Sequence, residues 1–185
     1  YASRGLGDVY KRQRTIIGCG QPLNTGGFGN NFNWKNFDLN IFFAWSYGND
    51  VLNANRLVFE SGWRSQTNQL ASYADRWSPE NPASNIPRVN AVGREEYSSR
   101  VIEDGSFLRL KNLTVGYTFP QQWTRKFYVS KLRLYFTAQN LFVVTGYSGY
   151  DPEVSMRASN PMTPSLDWGA YPKSKVYTFG IDLTF

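Results

Sequence analysis

Histidine is absent from the chain and cysteine occurs once, at Cys19. No disulfide can close within it, and no His/Cys donor set for a transition metal exists. Long apolar runs are missing too. The cleanest block, Ile41-Phe-Phe-Ala-Trp45, falls far short of the roughly 18 residues that a membrane helix needs. Any crossing of a membrane must therefore be made by strands, which averaged hydropathy overlooks because half of each strand is polar. The net charge of +6 comes from scattered residues. No Lys/Arg track interleaved with aromatics is present, so no nucleic-acid partner is expected. A catalytic pair is missing as well. Glu103, Asp104, Asp151 and Glu153 lie in loop-like stretches, whereas a glycosidase holds two carboxylates at a fixed separation. Acids beside Gly and Pro read as turn formers, and Asp151-Pro-Glu153 alone makes a poor calcium cage. Gly105, Gly116 and Gly180 form no phosphate-cradling loop and read as sites of close packing or bulges. Neither enzymatic activity, a metal nor a cofactor is expected.

Aromatics are what the chain has in excess: 13 Phe, 12 Tyr and 6 Trp make up 17% of 185 residues. Their placement is periodic. Tyr177, Phe179, Ile181, Leu183 and Phe185 alternate with Thr178, Gly180, Asp182 and Thr184, which predicts a strand with one oily and one polar face. Phe37, Leu39, Ile41, Phe43, Trp45 and Tyr47 alternate in the same way and cover about the length that a tilted strand needs to cross a bilayer. Phe28, Asn30, Phe32 and Trp34 share a face of a preceding strand, joined to the second by a tight turn at Lys35-Asn36. A third strand covers 106–119, with Leu113, Val115, Tyr117 and Phe119 on one face. Leu108 and Leu110 have the opposite parity, so a bulge or register shift is expected near Lys111-Asn112. In a fourth strand Leu132, Leu134, Phe136 and Ala138 oppose Arg133, Tyr135, Thr137 and Gln139.

The connections sort themselves by length. The segment 48–105, rich in Asn, Ser and Pro, reads as loop with short helices at 53–59 and 66–77. A second long connection runs over 143–172, while Lys35-Asn36 and 120–130 are short. Up-and-down strands then place both long connections at one end and both short ones at the other, as in an outer-membrane barrel with long extracellular loops and short periplasmic turns. The expected fold is all-β: about five antiparallel up-and-down strands of a transmembrane β-barrel wall, too few to close and so open, with two long extracellular loops. A soluble β-sandwich carbohydrate-binding module is the alternative, and unstructured connections of this length count against it. Residues 1–13, containing Gly5-Leu-Gly-Asp-Val-Tyr-Lys-Arg-Gln13, match nothing that follows; they resemble translated adaptor sequence and are set apart from 14–185.

Several phrases carry a resemblance. Phe107-Leu-Arg-Leu-Lys-Asn-Leu-Thr-Val-Gly-Tyr-Thr-Phe-Pro120, Ala138-Gln-Asn-Leu-Phe142, Gly146-Tyr-Ser-Gly-Tyr-Asp-Pro-Glu153 and Gly169-Ala-Tyr-Pro172 resemble the C-terminal end of the SusC/RagA family of TonB-linked outer-membrane proteins. Thr25-Gly-Gly-Phe28, Phe43-Ala-Trp-Ser-Tyr-Gly-Asn-Asp50 and Arg76-Trp-Ser-Pro-Glu-Asn-Pro82 resemble the same family upstream. The resemblance implies a plugged barrel of about 22 strands in the outer membrane of Bacteroidetes-type bacteria. That barrel imports oligosaccharides or peptides with energy from TonB, beneath a SusD-like lipoprotein. The closing strand resembles the insertion signal that the barrel assembly machinery reads, through Tyr177, Phe179, Ile181, Leu183 and Phe185. About five strands are too few to close even the smallest barrels, so the piece alone is not expected to transport.

Functional residues are expected on two surfaces. Tyr147, Tyr150, Trp168 and Tyr171 in the last long connection, with Trp63 and Trp77 in the first, offer rings for stacking on a sugar or contacting the lipoprotein. Arg133, Thr137, Gln139 and Asp182, with Arg109 and Lys111, are expected to face the lumen.

Overall fold

The computed structural model describes residues 15–62, 66–88, 97–156 and 164–185. The adaptor-like segment 1–13 and Trp63 lie outside the described residues. By its contacts the chain divides in two, with Arg56–Ile102 in one unit and Gly20–Asn55 with Glu103–Phe185 in the other.

Among the described residues eight strands occur in order: β1 (Asn24–Trp34), β2 (Phe37–Tyr47), β3 (Asp50–Asn53), β4 (Ile102–Asp104), β5 (Phe107–Thr118), β6 (Lys131–Thr145), β7 (Leu166–Asp167) and β8 (Val176–Thr184). Five of them form one sheet in the order β1-β2-β5-β6-β8. Every neighbouring pair in it is antiparallel, so the sheet is an up-and-down meander. Both short connections lie at one end and both long ones at the other. The tight turn at Lys35-Asn36 is closed by Lys35 with φ 54°. The longer one contains a helical turn (Gln121–Thr124) running into a 3-10 turn (Arg125–Phe127).

Alternation in the sequence becomes two continuous faces. Phe32, Leu39, Val115, Phe136 and Phe179 stand in register across all five strands. Cross-strand rings reinforce this row: Phe136 meets Phe179 at 4.8 Å between centroids, and Phe28 stacks on Phe43 at 4.9 Å. Such pairs stabilise a sheet by up to about 1 kcal/mol each. One row away, Asn31, Asn40, Thr114, Thr137 and Thr178 stand in register on the opposite face. The parity break in β5 is a bulge. Against β2 pairing skips from Leu110 to Asn112, leaving Lys111 as the extra residue, and against β6 Lys111 faces two skipped residues, Asn140 and Leu141. That insertion returns Leu108 and Leu110 to the apolar face, opposite Trp45 and Phe43.

Among the described residues, no second layer covers the apolar face. Phe179 is 81% and Ile181 64% exposed, and Tyr177 and Leu183 are more than half exposed. A sandwich strand would bury these side chains between two sheets, so the sandwich alternative fails on this observation. Two strands are longer than their alternation suggests: β1 begins at Asn24, through Gly26 and Gly27, and β6 continues to Thr145.

The long connections are more ordered than loop composition suggests. Their roots form a second sheet in the order β4-β3-β7, in which β3 and β7 run parallel, Leu52 opposite Leu166 and Asn53 opposite Asp167. Within the Arg56–Ile102 unit, buried Glu60 accepts hydrogen bonds from Arg56 (3.0 Å), Arg100 (2.7 Å) and Ser72 (2.7 Å). A short helix (Asn55–Phe59) and a 3-10 turn (Ala71–Asp75) lie near the two helical stretches expected from sequence.

Candidate functional site

The polar face of the sheet is crossed by one charged assembly. Arg133 on β6 donates to both carboxylate oxygens of Asp38 on β2, at 3.0 and 2.7 Å, and to Asp182 on β8 at 3.1 Å. Its guanidinium spans β5 to do so, and Gly116 makes room. A Cβ there would lie 2.6 Å from Arg133 Nη2 and from Asp38 Oδ2. Gly180 plays a similar part beneath the ring of Tyr135, and Gly105 beneath Asn49 and Val51. The close-packing reading of these glycines therefore holds. Between the triad and the bulge the face carries amides and hydroxyls. Asn40 donates to Asn31, Asn112 donates to Asn40 at 3.3 Å, and the hydroxyls of Thr114 and Thr137 lie 3.0 Å apart. Arg133, Thr137, Gln139 and Asp182 thus share one face, on which one guanidinium is set between two carboxylates.

At the long-loop end, a polar core fastens the connections to the sheet. Arg109 on β5 is buried and donates to Asp151, with Glu153 Oε2 3.1 Å from its Nε. Lys111, the bulge residue, reaches both Glu153 oxygens at 2.7 Å, and Lys173 Nζ reaches Oε1 at 2.6 Å. Burial pulls the Glu153 carboxyl upward, but the hydrogen bonds from Lys111 and Lys173 outweigh it and hold the group below its ordinary pKa. Asp151 also accepts the backbone N–H groups of Glu153 (2.9 Å) and Lys173 (3.1 Å). The Asp-Pro-Glu sequence is a turn former whose carboxylates are paired with Arg109, Lys111 and Lys173. Glu103 ties the connections further, accepting from Asn53 at 3.1 Å and from the backbone and hydroxyl of Ser148 at 2.9 Å.

The expected ligand rings separate into two groups. Tyr147 is 6% exposed and donates its hydroxyl to buried Asp167 at 2.7 Å. Burial, with that hydrogen bond second, raises its pKa well above the phenol range. Its ring belongs to the loop root and offers no face to a ligand. Tyr150 and Tyr171, by contrast, are exposed, and Trp168 is partly so. Trp168 and Tyr171 line an open cleft of about 450 Å³ with residues 153–156, Gly169, Ala170 and Lys173. Trp77 is partly exposed and lies in the other unit. Among the described residues no acid cluster is suited to a metal ion.

Comparison with known proteins resolves what this architecture belongs to. No family model matches the chain. TonB-dependent receptor P3 of Formosa agariphila is 38% identical over 185 residues, a match covering 98% of this chain and 18% of that protein. TonB-dependent receptor SusC of Bacteroides thetaiotaomicron is 30% identical over 158 residues, covering 82% of this chain and 14% of SusC. Among solved structures, the RagAB peptide importer in its open-open state superposes with a TM-score of 0.76 at 31% identity, over 92% of this chain and 18% of that chain.

The chain is a SusC/RagA-type TonB-dependent receptor fragment.

Its five-stranded sheet is accordingly a section of a β-barrel, and the missing second layer is explained. The chain spans less than a fifth of the length of the curated relatives it matches. Sequence reasoning missed three features of this receptor segment: the Arg133 triad, the buried Arg109 and the sheet at the loop roots. Only the first left a trace, as charges at the polar parity of three strands.

Proposed function

We propose that this segment forms part of the wall and outer loops of a TonB-dependent importer in the outer membrane of a Gram-negative, Bacteroidetes-type cell. One observation carries the reading: an apolar row crosses all five strands, and its residues on β8 stand exposed among the described residues. In water such a surface would aggregate, whereas against lipid it is satisfied. The opposite face then lines the lumen, with Arg133, Thr137, Gln139 and Asp182 among its residues. The solute is an oligosaccharide or a peptide, and the role is transport, not catalysis. Tyr150, Trp168 and Tyr171 supply outer-loop rings for the solute or for a SusD-like surface lipoprotein, supported from behind by Tyr147. TonB acts through parts of the receptor outside this segment. The barrel assembly machinery engages the strand bearing Tyr177, Phe179, Ile181, Leu183 and Phe185. Alone, the segment leaves β1 and β8 as open edges whose backbone groups find no partner in lipid, and it does not transport.

The test uses the full-length receptor. It should remain in the membrane fraction after high-salt washing, be released by detergent, and support TonB-dependent uptake of labelled oligosaccharide or peptide. A receptor recovered in the soluble phase after lysis would overturn the proposal.

A further inference from the structure

The short-turn end of the sheet carries a charge pattern that the importer reading does not use. Lys35, Arg125, Lys126 and Lys131 are all exposed there. Among the described residues, Lys35, Arg125 and Lys126 form no ion pair, and Lys131, two residues from Arg133 on β6, acts on Asp38 only at longer range. The two acids near this end, Asp38 and Asp182, are both taken by Arg133 on the polar face. The opposite end behaves differently: Arg109, Lys111 and Lys173 are all paired with Asp151 or Glu153. The free cations are interleaved with exposed rings. Lys35 lies over the Trp34 ring at 5.0 Å, and Arg125 and Lys126 sit between Trp123 and the pair Phe127 and Tyr128, which are 76% and 92% exposed.

This arrangement is built, not slack. Thr124 is buried under the turn, Val129 N–H donates to Thr124 O at 3.2 Å, and Ser130 N–H donates to Thr184 O at 2.7 Å. Tyr128 is held at φ 59°, a strained conformation for an aromatic residue, and its ring points outward. The turn joins β5 to β6, which β2 and β8 already flank, so the strands that would close the barrel are not what its rings await. Rings that prefer the headgroup level, set beside unpaired cations at the rim of a lipid-facing wall, match one kind of surface.

We infer that this rim binds the anionic phosphate headgroups of bilayer phospholipids, through Lys35, Arg125, Lys126 and Lys131 with Trp34, Trp123, Phe127 and Tyr128 beside them. The inference rests on the barrel-wall reading and adds a binding site to it. Each cation contributes roughly a fivefold gain in affinity for an anionic surface at moderate salt.

The experiment purifies the full-length receptor in detergent, strips its lipid, and measures retention of phosphatidylglycerol against phosphatidylcholine by native mass spectrometry. The wild type should prefer phosphatidylglycerol. The double variant Arg125→Gln/Lys126→Gln, at exposed positions with no ion-pair partners, should lose that preference by roughly fivefold per cation removed. The quadruple variant, adding Lys35→Gln and Lys131→Gln, should lose it further, and Lys175→Gln, at the other end of β8, should not. Equal retention by wild type and the variants would overturn the inference. So would displacement of the lipid by an equal concentration of inorganic phosphate, or by an acidic peptide, since either would assign the rim to a different ligand. A membrane-embedded receptor without lipid preference defeats this inference alone; a receptor outside the membrane fraction defeats the wall reading and this inference together.

Discussion

The five-stranded sheet and the loop roots solve the same folding problem in opposite ways. In the sheet, the largest side chains point outward: Phe179 and Phe185 are more than four-fifths exposed. At the loop roots Val51 and Ala54 are fully buried, and Asn49, Asn53, Asp151 and Asp167 are buried with them. A single solvent cannot account for both. Regions that meet water hide apolar groups and pair most of the polar ones they bury, which describes the roots. A surface that displays its rings and keeps amides and hydroxyls on its other side is arranged for hydrocarbon. The transition falls at the bulge of β5, where Lys111 leaves the strand pattern and reaches into the loop.

Each half of this comparison can be broken separately in the full-length receptor. The largest effect belongs to Arg109→Met. It strands buried Asp151 beside Glu153, and removing one partner of a buried ion pair costs about 3–5 kcal/mol. The outer loops should become sensitive to protease on intact cells, while the barrel keeps its heat-modifiable migration in detergent gels. Unchanged proteolysis would mean that the roots do not depend on their ion pairs.

Next comes Phe179→Arg. At an exposed site in water a substitution changes stability by no more than about 0.5 kcal/mol, whereas an arginine facing mid-bilayer costs about 2–4 kcal/mol. Receptor levels in the membrane should fall sharply. Thr178→Arg, one residue away on the other face, should be tolerated better.

Gly116→Val is expected to cost about 1–3 kcal/mol through overpacking, because its side chain would enter the space between Asp38 and Arg133. Loss of midpoint in thermal unfolding measures it, and Arg133→Met in the same background should add little further. Tyr147→Phe should loosen the loop root by about 1.5–3 kcal/mol, since it removes the hydroxyl's charge-assisted hydrogen bond to Asp167.

The smallest effect is on pH. The Glu153 carboxyl is depressed in the folded state, so its stabilisation is present above the ordinary carboxylate pKa and is lost as pH falls through the lowered value. Loop proteolysis should rise in acid below that ordinary range, and Glu153→Gln should flatten this rise.

Much of the sheet was legible from side-chain parity alone. Phe37–Tyr47 appears in the structure with the limits its alternation suggests, and the mismatch of Leu110 with Leu113 located the bulge. Parity is visible because one face meets a different medium from the other. Where backbone pairing alone makes the strand, the signal vanishes. Gly26 and Gly27 join β1 opposite Trp45 and Ala44, yet glycines announce no face. The root sheet was illegible for a related reason: β3, β4 and β7 are too short for a period, and Leu52 pairs with Leu166 across a long stretch of chain. The site suffered in the same way. Arg133 and Asp38 were each assigned a polar face, but their pairing needs the register of three strands and the gap at Gly116. Tyr147 and Tyr150 look alike in sequence, and only Asp167 decides that one is buried and the other free.

The most direct test of the two-solvent account is a cysteine scan along Val176–Thr184 in a receptor lacking Cys19, spin-labelled and placed in a bilayer. Accessibility to oxygen dissolved in lipid should peak at 177, 179, 181 and 183, with a water-borne paramagnet peaking at 178, 180 and 182. Accessibility that does not alternate, or that alternates with the opposite phase, would contradict it.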